Sequence, residues 1–464
     1  FFGGDPLFPI FLKCPSACVD LALGHATMCK PSLLEAKVDL LRRPLVPNAG
    51  IVKSIFVMAF CHLGVCMLCV NVLFDLFVLG IPAYTVAIFS TKLFRAYTTW
   101  LINFTTPIVF NLPMGWSGTK VYMSDPGLLA RAKADNALLL ANHGSRIDWM
   151  IGMYVSWITK LSAHDCARKR VGFVCEGIIQ FMPLIGWYRK LICEDVFVMR
   201  SFKQDAATIR NNCNSFHDAK CKRLLFLSPE GVVCDFGPRD RKYISECRDF
   251  CTELGYKPFE YVLTPRYKGL TCLVEQVKHG GMIVSVCMAF ERDGVLLNQK
   301  LTSMDREIPD IYSLLMGIGG SPTNVYVDMK ELHFTADDDI KKIMMEDYVR
   351  KDALMAAWHR ALEEKGAEDF KGGFQVTQAN VLEMNVAQLM HALMMIGLAH
   401  SLNLLPSFFN FCTALYLIIA FCHTLGWMMN GTSMESVPFE SGIKAIVMFL
   451  FGAKHKEREK KKKA

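Results

Sequence analysis

Apolar residues along this 464-residue chain gather into two long runs at its ends, with a shorter-period pattern between them. From Ser54 to Ser90 the only charged residue is Asp75, and from Met384 to Met429 there is no Asp, Glu, Lys or Arg. A membrane-crossing helix takes about 20 apolar residues, so each run is long enough for two. Asn71, Asp75, Gly80 and Pro82 divide the first run, and Asn403 with Pro406-Ser407 divides the second. The pattern therefore predicts a hydrophobic hairpin near each end: residues 51–115 as a membrane hairpin with an interfacial helix, and 376–453 as a second hairpin with an amphipathic segment. For the first run, one span plus a re-entrant or interfacial helix fits the same residues.

Between them, 116–375 reads differently. Strand-like runs recur at 136–141, 196–200, 223–228, 260–264, 282–290 and 324–329, separated by helical or polar stretches that include 205–214 and a closing helix at 340–365. This alternation predicts an α/β domain around a central, mostly buried sheet, flanked by the two hairpins. Residues 1–50 form an N-terminal segment without an initial Met, read as incomplete, and 454–464 a basic tail.

Composition agrees with a membrane protein: 52% hydrophobic residues and a mean hydropathy of +0.25 are high for a soluble one. Lys37, Arg42, Arg43 and Lys53 precede the first run, Lys92 and Arg95 follow it, and lysines fill the tail. Positive flanks favour the cytosolic side, so the middle domain is expected to be cytosolic and the protein multi-pass. Lys461 and Lys462 resemble a dilysine retrieval signal, which points to the endoplasmic reticulum; a polybasic lipid anchor is the alternative. On this topology the sequons at Asn103 and Asn430 stay unused. The net charge of +7 comes without a zinc-finger, RNA-recognition or Gly-rich phosphate motif, so no nucleic-acid partner is expected. Eighteen scattered cysteines are expected to be reduced thiols, with no metal site. The basic runs at 168–170 and Arg189-Lys190 suit either a solvated face or contact with anionic groups.

The chemistry starts at Asn142-His143-Gly-Ser-Arg-Ile-Asp148, directly after the apolar run 137–141. A histidine that takes a proton from a hydroxyl needs an acidic neighbour to fix its tautomer and hold the charge it gains. The turn places His143 where α/β folds display chemistry, and the pair suits acyl transfer. A second His-x4-Asp, His333 to Asp338, runs into a cluster of aspartates and reads as a solvated helix start. Glu230-Gly231 follows the strand-like 223–228, and Arg200 ends another; a plain turn and a surface ion pair are their alternatives. Arg266 and Lys268 follow 260–264 and either complete an anion pocket or cap the next helix.

Four blocks in this order, Asn142-His143-x4-Asp148-Trp149, Phe197-Val-Met-Arg200, Pro229-Glu230-Gly231 and Thr264-Pro265-Arg266, resemble the signature blocks of the glycerolipid acyltransferases, in particular the eukaryotic lysophosphatidic acid and lysocardiolipin branch. The resemblance implies an acyl-CoA:lysophospholipid O-acyltransferase embedded in the bilayer, with acyl-CoA as co-substrate, no further cofactor, and lysophosphatidic acid as acceptor. Lysocardiolipin, lysophosphatidylinositol or another lysophospholipid is the alternative acceptor, and a catalytically silent lipid-binding scaffold the alternative class. It implies His143 as base with Asp148 behind it. Asn142, Arg200, Glu230, Gly231, Arg266 and Lys268 would bind substrate. The chain departs from the pattern at Val232-Val233, where the family usually has Thr-Arg, so one phosphate-binding arginine is missing; Arg239, Arg241 or Lys242 stands a short loop away.

Overall fold

The computed structural model describes residues 51–430, apart from 135–136, 160–169, 200, 219–222, 234–237, 278–280, 304–305, 335–338, 372 and 378–379. The expectations for 1–50, Arg200, Asp338 and the tail 454–464 fall outside the described residues.

The first apolar run is helical throughout. α1 (Ile51–Phe74) passes through a π-helical turn, Asp75–Leu79, into α2 (Gly80–Phe89), and both junction residues keep right-handed helical backbone. The reversal expected between Asn71 and Pro82 does not occur. A π turn takes up the missing N–H of Pro82 and turns Asp75 inward without ending the helix. The chain bends instead at Ser90, whose extended backbone closes α2 and whose side chain accepts from Leu93 N to open α3 (Thr91–Phe110). A second π turn, Asn111–Trp116, leads into the sheet.

The sheet and its connections follow as β1 (Val121–Met123), α4 (Pro126–Ala134), β2 (Ala137–Ala141), α5 (Asp148–Ile158), β3 (Arg170–Glu176), α6 (Ile185–Leu191), β4 (Val196–Val198), α7 (Phe202–Asp218) and β5 (Arg223–Leu227). Then come α8 (Pro238–Glu253), α9 (Lys268–Val277), β6 (Met282–Arg292), β7 (Val295–Leu296), α10 (Ile311–Leu315) and β8 (Asn324–Leu332). α11 (Ile340–Lys371), broken at Gly366, and β9 (Gln375–Thr377) close the domain. The strand order is β4-β3-β5-β2-β6-β8-β1-β9, with β7 added on β6. The run from β4 to β6 is parallel, and β8 is antiparallel to β6.

β2 is buried at every residue because both faces are covered, as parallel strands between helices require. Leu139 lies opposite Phe226 and Val284 and feeds one core, whereas Leu138, opposite Leu225 and Ile283, feeds the other. The first core also takes Met150 and Ile151 of α5, Leu101 and Phe110 of α3, and Leu68, Val72 and Leu76 of the first helical run. The second takes Leu270 and Leu273 of α9 and Met344, Tyr348 and Met355 of α11.

Residues 260–264 are not a strand. The Asp352 carboxylate of α11 accepts from the backbone N–H of Glu260, Tyr261 and Val262, at 2.9, 2.7 and 3.3 Å, and replaces the ladder a strand would have used. β1, β3, β7 and β9 are strands the sequence pattern did not predict. β3 was hidden behind its own start: Arg170 is buried, salt-bridged to Glu194 at 3.0 Å, and donates to Thr98 Oγ1 at 2.7 Å. Arg189 is buried too, on Asp195 at 2.6 Å. Neither belongs to a solvated basic face.

After β9, α12 (Val381–Ser401) and α13 (Leu405–Asn430) are separated at Asn403 (φ +56), where the sequence placed the break. Ile55–Phe89 and Val381–Ser401 are long and apolar enough to cross a membrane, by length and composition.

Candidate active site

β2 lies between two parallel neighbours, β5 and β6, and the loops leaving the carboxyl ends of β2 and β5 come together there. Asn142 fixes where the first loop departs. Its N–H donates to Val286 O at 3.3 Å; its side-chain Oδ1 accepts from Met288 N at 2.7 Å and its Nδ2 donates to Met288 O at 2.9 Å. The side chain thus continues the β2–β6 ladder by one more rung. Asn142 is buried and its polar atoms are spent on backbone, so it shapes the site rather than touching substrate.

His143 comes next, with its side chain 27% exposed, and its Nδ1 is 2.9 Å from Asp148 Oδ2. Asp148 opens α5, where the unpaired N–H groups and the helix dipole favour a negative charge. Its carboxylate also accepts from Ser145 N at 3.3 Å and from Ser145 Oγ at 2.5 Å. A carboxylate so held fixes the imidazole with its proton on Nδ1 and leaves Nε2 as the basic nitrogen. Gly144 is required by a close approach: a Cβ there would lie 2.8 Å from Asn298 Nδ2, which donates to Gly144 O at 2.8 Å. Asn298, itself buried, also accepts from Phe290 N at 2.9 Å.

Glu230 sits behind the loop rather than in front of it. Its Oε1 accepts from His143 N at 3.0 Å, and burial pushes its carboxyl up to about 7, against the pull of the N–H donors of His143 and Leu263. It does not line the cavity described next, so the expected contact with an acceptor hydroxyl is replaced by support of the histidine's backbone. Gly231 follows with φ +74, a left-handed conformation that suits glycine.

A cavity of about 770 Å³ opens in front of His143. Phe173, Val174, Ile179, Met182, Ile185 and Phe226 give it an apolar wall, and Arg146, Arg266 and Lys268 a cationic one. Gly231, Val232 and Val233 also line it. Arg266 is exposed, its Nε donates to Tyr243 OH at 3.1 Å, and its N–H donates to Pro229 O at 2.8 Å, which binds this segment to the Glu230 loop. The structure therefore brings His143, Asp148, Gly231, Arg266 and Lys268 to one cavity, with Asn142 and Glu230 supporting from behind. Arg146 and Asn298 were not anticipated. Arg146 stood inside the His143–Asp148 block and could have been read from it; Asn298 has no local signal, being 154 residues from Gly144.

Comparison with known proteins follows the same lines. Residues 127–289 match the family model described as Acyltransferase. The chain is 26% identical over 193 residues to lysocardiolipin acyltransferase 1 of Gallus gallus, covering 41% of this chain and 46% of that protein. It is 27% identical over 158 residues to 1-acyl-sn-glycerol-3-phosphate acyltransferase epsilon of Mus musculus, covering 34% and 41%. To 1-acyl-sn-glycerol-3-phosphate acyltransferase delta of Homo sapiens it is 24% identical over 329 residues, covering 69% and 74%. The first two matches thus span less than half of those relatives' own length. With signature blocks gathered around one cavity inside the matched region, residues 127–289 form an acyltransferase domain, and the chain is similar to lysocardiolipin and 1-acyl-sn-glycerol-3-phosphate acyltransferases.

Proposed function

We propose that the protein is a membrane-bound, acyl-CoA-dependent O-acyltransferase that acylates a lysophospholipid, with lysophosphatidic acid as acceptor and phosphatidic acid as product. The observation that carries this reading is the His143–Asp148 contact of 2.9 Å at the edge of a cavity with one apolar and one cationic wall. His143 Nε2 takes the proton of the acceptor hydroxyl as its oxygen attacks the thioester carbonyl carbon. The carbon–sulfur bond then breaks, and the imidazolium returns the proton to the leaving thiolate. General-base help of this kind is worth about 10² to 10⁴-fold. Asp148, its charge already stabilised by Ser145 and the start of α5, supports the imidazolium between the two steps. The apolar wall suits an acyl chain, and Arg146, Arg266 and Lys268 suit phosphate oxygens, with Arg200 a further candidate from its block.

One observation favours a second acceptor within the class. Val232 and Val233 line the cavity where the family pattern carries a phosphate-binding arginine, which favours lysocardiolipin or another lysophospholipid over lysophosphatidic acid. In both readings the enzyme sits in the endoplasmic reticulum membrane with its catalytic domain cytosolic, supported by the two long apolar helices and the basic flanks. The test is thiol release from acyl-CoA by membranes bearing the protein, offered a panel of lysophospholipids. Fastest turnover of lysophosphatidic acid supports the first reading, fastest turnover of another member the second. No acceptor-dependent release above membranes bearing the His143→Ala variant rejects both.

A further inference from the structure

α12 is built inside out. Leu382, Leu389 and Leu393 on its outer side are 69%, 60% and 60% exposed, while between Met384 and Ala399 its polar residues are Asn385, Gln388 and His391, spaced three apart. All three turn toward the N-terminal half of the chain and find a partner there. Trp116 Nε1 donates to Asn385 Oδ1 at 2.8 Å, Asn71 Nδ2 donates to Gln388 Oε1 at 3.4 Å, and His391 Nε2 lies 3.0 Å from Asp75 Oδ1. The last pair is fully buried on both sides. The π turn at Asp75–Leu79 rotates Asp75 inward to meet His391, and Phe74 and Phe104 wall the imidazole, with ring centroids 5.0 and 5.9 Å away. In water such a helix would be turned round, apolar side in. Lipid supplies no hydrophobic drive between helices, so polar contacts and close packing carry association there.

We propose that these three pairs are a lipid-buried docking stripe by which α12 is fastened onto α1 and the Asp75–Leu79 and Asn111–Trp116 turns, with the fully buried Asp75–His391 pair as its end rung. The inference rests on the bilayer placement proposed above. Its consequence reaches the catalytic domain, because α3 lies between the stripe and α5: Phe104 touches His391, and Phe110 packs edge-on against Tyr154 of α5 at 5.9 Å. The C-terminal helix thereby backs the element that carries Asp148.

The test uses the full chain in its native membranes, in a Gly115→Cys/Met384→Cys background; a Cβ at Gly115 would stand 3.6 Å from Met384 Sδ, so the two thiols report α12 docking by oxidative cross-linking. Asp75→Leu/His391→Leu is expected to lower the cross-link yield at least fivefold, and the reciprocal exchange Asp75→His/His391→Asp to recover at least half of it. Recovery by the exchange excludes simple misfolding as the cause of the loss. A parent-level yield in the double-Leu variant, or no recovery in the exchanged one, overturns the stripe. Release of the parent protein by alkaline carbonate is a separate outcome and overturns the bilayer placement itself.

Discussion

The ring and the main-chain N–H of one histidine are held by different partners, and the residues around His143 keep the two apart. Nδ1 is committed to Asp148 at 2.9 Å, and the main-chain N–H is committed to Glu230 at 3.0 Å. His143→Ala is expected to lower kcat for thiol release by about 10² to 10⁴-fold or more with the protein still membrane-bound at parental abundance. Asp148→Asn, which keeps the shape and loses the charge, is expected to be nearly as severe; activity within tenfold of the parent in either variant would remove them from the mechanism. Glu230 makes a prediction of another kind. Its carboxyl is raised from an ordinary 4.5 to about 7 by burial, so its folded value lies above its unfolded one. The stability it contributes is therefore fully present below pH 4.5 and is lost as pH rises through about 7, up to about 3 kcal/mol. Glu230→Gln keeps an acceptor for His143 N–H and cannot ionise, so its Tm should fall less between pH 5 and pH 8 than the parent's; parallel Tm curves would refute the assignment. His143 and Asp148 were legible in the sequence because the six residues 143–148 of one turn hold them. Asn298 was not, since a clamp that reaches Gly144 across the sheet leaves no periodic or motif signal.

Elements were legible where side-chain alternation and backbone pairing agree. β2 and β6 obey both, and their apolar residues split cleanly between the two cores. Residues 260–264 share only the burial: Tyr261 and Val262 feed the same core, and Asp352 supplies the acceptor that a neighbouring strand would have. Apolar spacing cannot distinguish these cases, because it records burial and not the partner of the N–H groups. β3 failed in the opposite sense, its charged first residue being paired inside the protein. Asp352→Ala is expected to release residues 260–262, with faster amide exchange there than in β6 and a loss of about 2 to 4 kcal/mol in stability, since a hydrogen bond to a charged group is worth about 1.5 to 3 kcal/mol and the three N–H groups share one carboxylate oxygen. Asp352→Asn, which retains an acceptor oxygen, should lose less. Unchanged exchange at these amides in the Ala variant would mean that packing alone holds the segment.

At the scale of the whole molecule, the N-terminal apolar run sets the question of topology. A reversal within it was the sequence-based expectation, and the continuous helix changes the geometry. Thirty-five residues, Ile55–Phe89, rise about 50 Å, well beyond the roughly 30 Å of a bilayer's hydrocarbon core. A simple perpendicular crossing would leave apolar residues such as Phe56 or Phe89, 72% and 81% exposed, in water at one end. It would also place Lys53 and Lys92 on opposite sides, against the charge rule. The middle of the run is held by the protein: Leu68 and Leu76 belong to the same buried core as Val284 of β6. On the bilayer placement proposed above, a helix sunk in the membrane face, its middle held between the domain and α12 and its two ends in lipid, satisfies all three observations. Both exposed lysines then stand on the catalytic side. In sealed vesicles with the catalytic face outward, a membrane-impermeant amine reagent is expected to label Lys53 and Lys92 to a similar extent, with Lys242 of α8 as the accessible reference, and permeabilisation should add little. Labelling of Lys53 only after permeabilisation would establish a single crossing and require the N-terminal half of α1 to leave the domain on the opposite side of the bilayer.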